Sequence, residues 1–368
     1  MKNACIVWKN RIQGEYEQQS SRVLDAFFEA GYTFDEYRVL LYTDENTLIG
    51  AVKSLKSTHE NVVVISEFEA MKRAKTALGT IFKEDAFQGT ASGVGTFTDE
   101  RYTVFLLAYD EEQWGVTYVR EFALPYLEKK YNASMQRTVI RSIGANAQHV
   151  SNLLAQIQAM GQGMIRCTDV RKYGEDVISI FFNENISKRL ADEAVRVLVE
   201  GLGESVYAVD DVSIEEQLVR LLQVRGKKIS VAESFTGGGV ARKLVSVSGV
   251  SSVYFEGLNT YDELSKIKRL GVTEYTLNSY GAVSDQTAYE MAMGLMATGN
   301  CDISIATTGL AGPNTDRSML PVGLSYIAVG TREKIFVYRY KFEGTREEIM
   351  ETAIQHALFL AYKQLKNM

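Results

Sequence analysis

The chain has 368 residues, 46% of them hydrophobic and 23% charged, with a net charge of −6; that length predicts two or three domains with room for a sizeable core. The acidic balance argues against a surface built to grip nucleic acid. No apolar run approaches the roughly 18 residues that a membrane helix needs, and the start MKNACIVWKNRIQGEYEQ is too weakly apolar for a secretion signal, so a cytoplasmic protein without a membrane or nucleic-acid partner is expected.

In chain order, Ala4–Trp8 is a short apolar strand, and Glu15–Gly31 carries Val23, Leu24, Phe27 and Phe28 at helical spacing. Tyr37–Tyr42 reads as a strand, Asp44–Ser57 as a helix, and Asn61–Ser66 (NVVVIS) as a buried strand. Ala70–Phe82 is helical, Tyr102–Ala108 a strand, and Glu111–Tyr131 one long helix. Strands separated by helices predict a parallel sheet covered on both faces. The next segment is different: a strand at Thr138–Ile143, a helix at Asn146–Met160, a hairpin from Met164–Thr168 and Asp176–Phe182, a helix at Ile186–Leu202 and a strand at Ser205–Val209. A helix over Ser213–Arg225 then leads into the strand Lys228–Ala232, the loop Glu233–Gly238 and the helix Gly239–Val247. Further strands are expected at Val253–Asn259, Ile303–Thr307, Gly323–Val329 and Lys334–Phe342, the last two as an antiparallel pair, and helices at Asp262–Leu270, Asp285–Thr298 and Thr345–Lys366. The fold class is therefore α/β, with three-layer domains at both ends (1–134 and 212–368) and a small α+β module (135–211) between them.

The loops of the last domain carry the chemistry. AESFTGGG (Ala232–Gly239) joins an apolar strand to a helix. In a parallel sheet, ligands bind outside the carboxyl ends of strands, and Ser234 stands there beside glycines whose amides, with the helix N-terminus, suit a phosphate or a developing oxyanion. The same residues also read as a plain N-cap and turn. In TYDELSKIKRLG, Tyr261 and Lys266 can face one cleft, and a lysine made neutral by burial can serve as base to a serine; with Lys268 and Arg269, Lys266 equally reads as part of a solvated helix face. SYGAVS places Ser284 at a natural N-cap, and Thr307–Gly312 ends a strand ahead of a loop, Pro313–Pro321, long enough to act as a lid. No cofactor or metal is expected, because His59, His149 and His356 and the cysteines Cys5, Cys167 and Cys301 lie far apart.

AESFTGG, NTYDELSKIKRLGV, GAVS, TGLAGP and PVG, in that order over Val212–Met368, resemble the carboxyl-terminal domain of the competence/damage-inducible CinA family. The resemblance implies a metal-independent nicotinamide-nucleotide amidase, converting nicotinamide mononucleotide to nicotinate mononucleotide and ammonia. It implies Ser234 as nucleophile, Lys266 as base and Tyr261 beside them, with Glu233, Thr236, Gly237, Gly238, Ala282, Val283, Ser284, Thr308, Gly309, Ala311 and Gly312 around a small nucleotide substrate, and a homodimer. Phe235 stands where the family has cysteine, and Leu320 where it has the lysine before Pro-Val-Gly. The amino-terminal segment resembles the family's molybdopterin-binding-like domain and the middle one its KH-like module. The amino-terminal Gly-Thr-Glu and Gly-Gly-Leu-Gly-Pro-Thr-x-Asp-Asp motifs are replaced by Trp8-Lys9-Asn10 and Glu67-Phe68-Glu69-Ala70, so nucleotide pyrophosphatase activity there is disfavoured. A non-catalytic nucleotide-binding or interaction protein linked to competence or DNA damage is the alternative from another class.

Overall fold

Asn3–Lys9 (β1), NACIVWK, is buried along its whole length, which requires cover on both faces of the sheet. The computed structural model describes residues 2–9, 16–41, 44–83, 86–91, 93–99, 102–109, 112–131, 135–314 and 319–368. Asn10, Glu15, Glu111 and Thr315–Ser318 of the expected lid lie outside these. The helix Tyr16–Glu29 (α1) buries Val23, Leu24 and Phe27, while Phe28 turns outward, edge-on to Phe34 at 5.7 Å. Glu36–Leu41 (β2), Glu45–Leu55 (α2), Asn61–Ser66 (β3) and Met71–Gly79 (α3) follow the expected order. Next comes a hairpin that was not expected, Phe87–Gly89 (β4) and Gly95–Asp99 (β5), then Tyr102–Ala108 (β6). The sheet runs β2-β1-β3-β6-β5-β4, parallel through β6 and antiparallel across the edge hairpin. The expectation of an all-parallel sheet is corrected there.

The single long helix is also corrected. It consists of Glu112–Tyr118 (α4), a π-helical turn Val119–Ala123, and Leu124–Tyr131 (α5). Pro125 has no N–H to give the carbonyl four residues back, and the Leu124 N–H bonds Val119 instead.

The middle segment comprises Met135–Ile143 (β7), Ala147–Met160 (α6), Ile165–Lys172 (β8), Glu175–Asn183 (β9), Lys188–Leu202 (α7) and Val206–Ala208 (β10), with a sheet ordered β10-β7-β9-β8. The chain packs as two compact units divided within this segment: residues 1–137, 158–168 and 179–192 form one, and 138–157, 169–178 and 193–368 the other.

In the second unit, Ile214–Arg225 (α8) starts on a full capping box between Ser213 and Glu216. Then come Ile229–Glu233 (β11), Gly239–Val245 (α9), Tyr254–Asn259 (β12), Glu263–Leu270 (α10) and Glu274–Tyr280 (α11), the last unforeseen in the sequence. Asp285–Ala297 (α12), Ile303–Gly309 (β13), Leu324–Thr331 (β14), Ile335–Lys341 (β15) and Arg346–Asn367 (α13) complete it. The sheet is β12-β11-β13-β14-β15, with the first three strands parallel and the last pair antiparallel. Helices α8, α9 and α13 cover one face with a core around Val231, Ile305, Leu358 and Ile354. Helix α12 covers the other over Ala232, Met291 and Ala306.

His356 of α13 is buried between Tyr340 and Phe342, at ring-centroid distances of 5.1 and 5.0 Å. Burial pulls its pKa below 6.5, against a 2.8 Å hydrogen bond to the Thr352 carbonyl. The unfolded imidazole therefore takes up a proton more readily than the folded one as the pH falls. The expected result is a thermal midpoint that drops as pH falls below the unfolded value of about 6.5, with the drop reduced in His356→Phe. Parallel pH profiles for the two proteins would contradict this.

Candidate active site

β11 is the strand on which the site is built. Its neighbours β12 and β13 are parallel to it, so three carboxyl ends meet at one edge. Ser234 follows β11 directly, and its amide donates to the Thr307 carbonyl at 3.0 Å, pinning the start of the loop to β13. On the other side the Thr260 amide donates to the Glu233 carbonyl at 2.8 Å, so the chain leaving β12 also stays against β11. Asp262 then caps α10 by accepting from the Leu264 amide, and the second turn of that helix points Lys266 back at the sheet edge.

Lys266 is 1% exposed. Its Nζ lies 3.1 Å from Ser234 Oγ, 2.8 Å from the Thr260 carbonyl and 2.9 Å from the Tyr261 carbonyl. An amine in its neutral form has two N–H donors and one lone pair. The two carbonyls accept the donors, which leaves the lone pair for the serine hydroxyl. Burial lowers the lysine pKa from 10.5, partly opposed by Glu263 and Asp262. The pH–rate profile of any reaction using this base is therefore expected to rise on an alkaline-going limb centred below the usual lysine value of about 10.4. A rate that is flat with pH, or that falls across that limb, would contradict a lysine base.

The rest of the AESFTGGG motif is organised differently from the sequence expectation. Glu233 is 1% exposed. Its carboxylate accepts from the Thr236 hydroxyl at 2.7 Å and from the amides of Gly238, Val240 and Ala241 at 3.1, 3.0 and 2.8 Å. The start of α9 is thus filled by the protein's own anion. Gly237 donates its amide to the Ser234 carbonyl at 3.1 Å. The amides of Gly237 and Gly238 are occupied, and the anion or oxyanion role expected of them is corrected. Among the described residues the amides of Phe235 and Thr236 have no hydrogen-bond partner. Gly237 and Gly238, at φ 62° and 93°, supply the left-handed backbone of the turn. Phe235 is 4% exposed and belongs to the core with Val240 and Ile354; a Cβ on Gly309 would come within 3.1 Å of its ring.

Other expected residues form the walls. Thr308 donates to the Ala282 carbonyl at 2.6 Å, tying the end of β13 to the GAVS segment. Thr307 and Thr236 hydroxyls meet at 2.7 Å. Ser284 caps α12 by accepting from the Thr287 amide and donates to the Gly281 carbonyl. Val283 is half-buried, Ala311 lies in the core, and the Gly312 carbonyl accepts from Arg346 at 2.7 Å. The Tyr261 side chain is 64% exposed; its contact with Lys266 is through the backbone carbonyl. Thr307 stands at the carboxyl edge, as expected, but the role of Thr260 was missed in the sequence, because a backbone acceptor leaves no residue-type signal. Cys5 and Cys301 are buried and Cys167 is half-buried, all as free thiols. Among the described residues no three His, Cys, Asp or Glu side chains are grouped to hold a metal, and no helix is long and apolar enough to cross a membrane.

The model of the CinA C-terminal domain matches residues 211–365. A competence-damage inducible protein of Caldicellulosiruptor saccharolyticus is 32% identical over 298 residues, covering 80% of this chain and 72% of that relative. The chain belongs to the CinA family. A CinA-like protein of Kosmotoga olearia is 34% identical over 277 residues, which is 74% of this chain and 66% of the relative. Among solved CinA superfamily structures, one from Klebsiella pneumoniae is 30% identical at a TM-score of 0.41, covering 42% of this chain and 97% of its own.

Proposed function

We propose that this CinA protein is a cytoplasmic amide hydrolase that deamidates nicotinamide mononucleotide to nicotinate mononucleotide and ammonia. The observation that carries the reading is the buried Lys266 Nζ, 3.1 Å from Ser234 Oγ at the carboxyl edge of the sheet; the choice of substrate comes from the family resemblance. Ser234 Oγ attacks the carboxamide carbon while its proton passes to the Lys266 lone pair, and the carbonyl π electrons move onto oxygen. The amides of Phe235 and Thr236 are the donors available to that oxyanion. The C=O bond re-forms, the C–N bond breaks, and Lys266 returns the proton to the leaving nitrogen as ammonia departs. Water, deprotonated by the same amine, then releases the acid and restores the serine.

The test is incubation of the purified protein with nicotinamide mononucleotide in the presence of a chelator. Equal amounts of ammonia and nicotinate mononucleotide are expected. Absence of turnover overturns the substrate assignment.

A further inference from the structure

We infer that Glu233 is a positioning residue for Ser234, one that acts without touching substrate; the inference rests on the amidase reading. A carboxylate on the residue next to a nucleophile invites the roles of general base or substrate ligand. Here both oxygens are already engaged, by one hydroxyl and three backbone amides spanning Thr236 to Ala241. Charge-assisted bonds to amides are short and strong. The carboxylate therefore ties Thr236, Gly238 and the first turn of α9 to the residue just before Ser234, and the turn so closed fixes where Ser234 Oγ stands relative to Lys266. Thr236 extends the clamp, since its hydroxyl donates to Glu233 and also meets Thr307 on the neighbouring strand. One consequence concerns the substrate: with α9 already capped by a carboxylate, the phosphate of a nucleotide is held elsewhere around the cleft.

Glu233→Gln keeps the shape but turns an NH2 group toward amide donors. Two readouts separate positioning from substrate contact. One is the division between kcat and KM with nicotinamide mononucleotide. The other is the rate at which an alkyl fluorophosphonate modifies Ser234, followed by mass spectrometry of the labelled peptide. In that reaction the Ser234 O–P bond forms, P–F breaks, fluoride leaves and the serine proton passes to Lys266. For Glu233→Gln, kcat is expected to fall about 10²-fold, the loss typical of a nucleophile misplaced by an ångström, with KM little changed and phosphonylation slowed in parallel. Thr236→Val, which removes one clamp bond at constant size, is expected to slow both to a smaller degree, and it carries the test if circular dichroism shows Glu233→Gln unfolded. Phosphonylation of both variants at the wild-type rate, or a raised KM at unchanged kcat, overturns the inference while the nucleophile reading stands. A wild-type protein left unlabelled at Ser234 overturns the nucleophile reading and this inference with it.

Discussion

Lys266→Met is expected to fold and to lose amide turnover by about 10³-fold or more, the range that positioned proton transfer supplies. Methionine matches the length of the lysine stem and suits a buried position, but it has no lone pair for the Ser234 proton. Two effects on stability oppose each other. The substitution leaves the Thr260 and Tyr261 carbonyls without the amine that now donates to them at 2.8 and 2.9 Å, and an unsatisfied buried acceptor costs about 1–3 kcal/mol. Against that, the folded lysine has a pKa below its unfolded value because of burial. The unfolded amine therefore holds its proton to higher pH, so the charged group's burial costs stability below its lowered folded pKa, and that cost shrinks only as the pH rises from there toward about 10.4. Methionine removes that penalty. Thermal melts near neutrality are thus expected to differ little from wild type while kcat collapses. Retained turnover in the variant would exclude Lys266 as the base.

Gly294→Ala is expected to damage stability and activity together. Gly294 lies in the middle of α12, where alanine normally gains about 1 kcal/mol of helix propensity. Its missing Cβ, however, faces the last turn of α10: a methyl there runs into the Leu270 carbonyl, with Leu270 Cα at 2.9 Å. The obstacle is backbone and cannot swing aside. Separating two packed elements costs about 1–3 kcal/mol, which outweighs the propensity gain. Because α10 carries Lys266, its displacement also opens the contact with Ser234, and a misplacement of that kind costs about 10²-fold in rate. The thermal midpoint and kcat of the variant are the measurements. A variant as stable and as active as wild type would show that α10 does not depend on this close approach.

The sequence was most readable where one physical demand dominated. NVVVIS and ISVAE are apolar enough to be buried strands in any context, and both are interior strands of their sheets. The capped start at Ser284 follows from the residue type alone. Elsewhere tertiary context decided. The β4–β5 hairpin reads as loop because its glycines look like turn residues, yet a Cβ on Gly89 would strike the Val94 carbonyl across the pair. The π-helical turn ahead of Pro125 hides inside a continuous helical pattern. Lys266 sits one turn from Lys268 and Arg269 in what reads as a solvated face, and only the fold shows that it alone turns inward. Thr236, Gly237 and Gly238 suggested an anion or oxyanion site. The helix start they describe does hold an anion, but the anion is the side chain of Glu233. Phe235, at the family's cysteine position, packs into the core beside Gly309.

Ser234 is the group that attacks the amide in the proposed reaction. Ammonia release from nicotinamide mononucleotide, measured side by side for the purified protein and its Ser234→Ala variant, tests this most directly. Turnover by the first and a loss of about 10³-fold or more in the second are expected. Equal ammonia release by the two proteins would contradict that role.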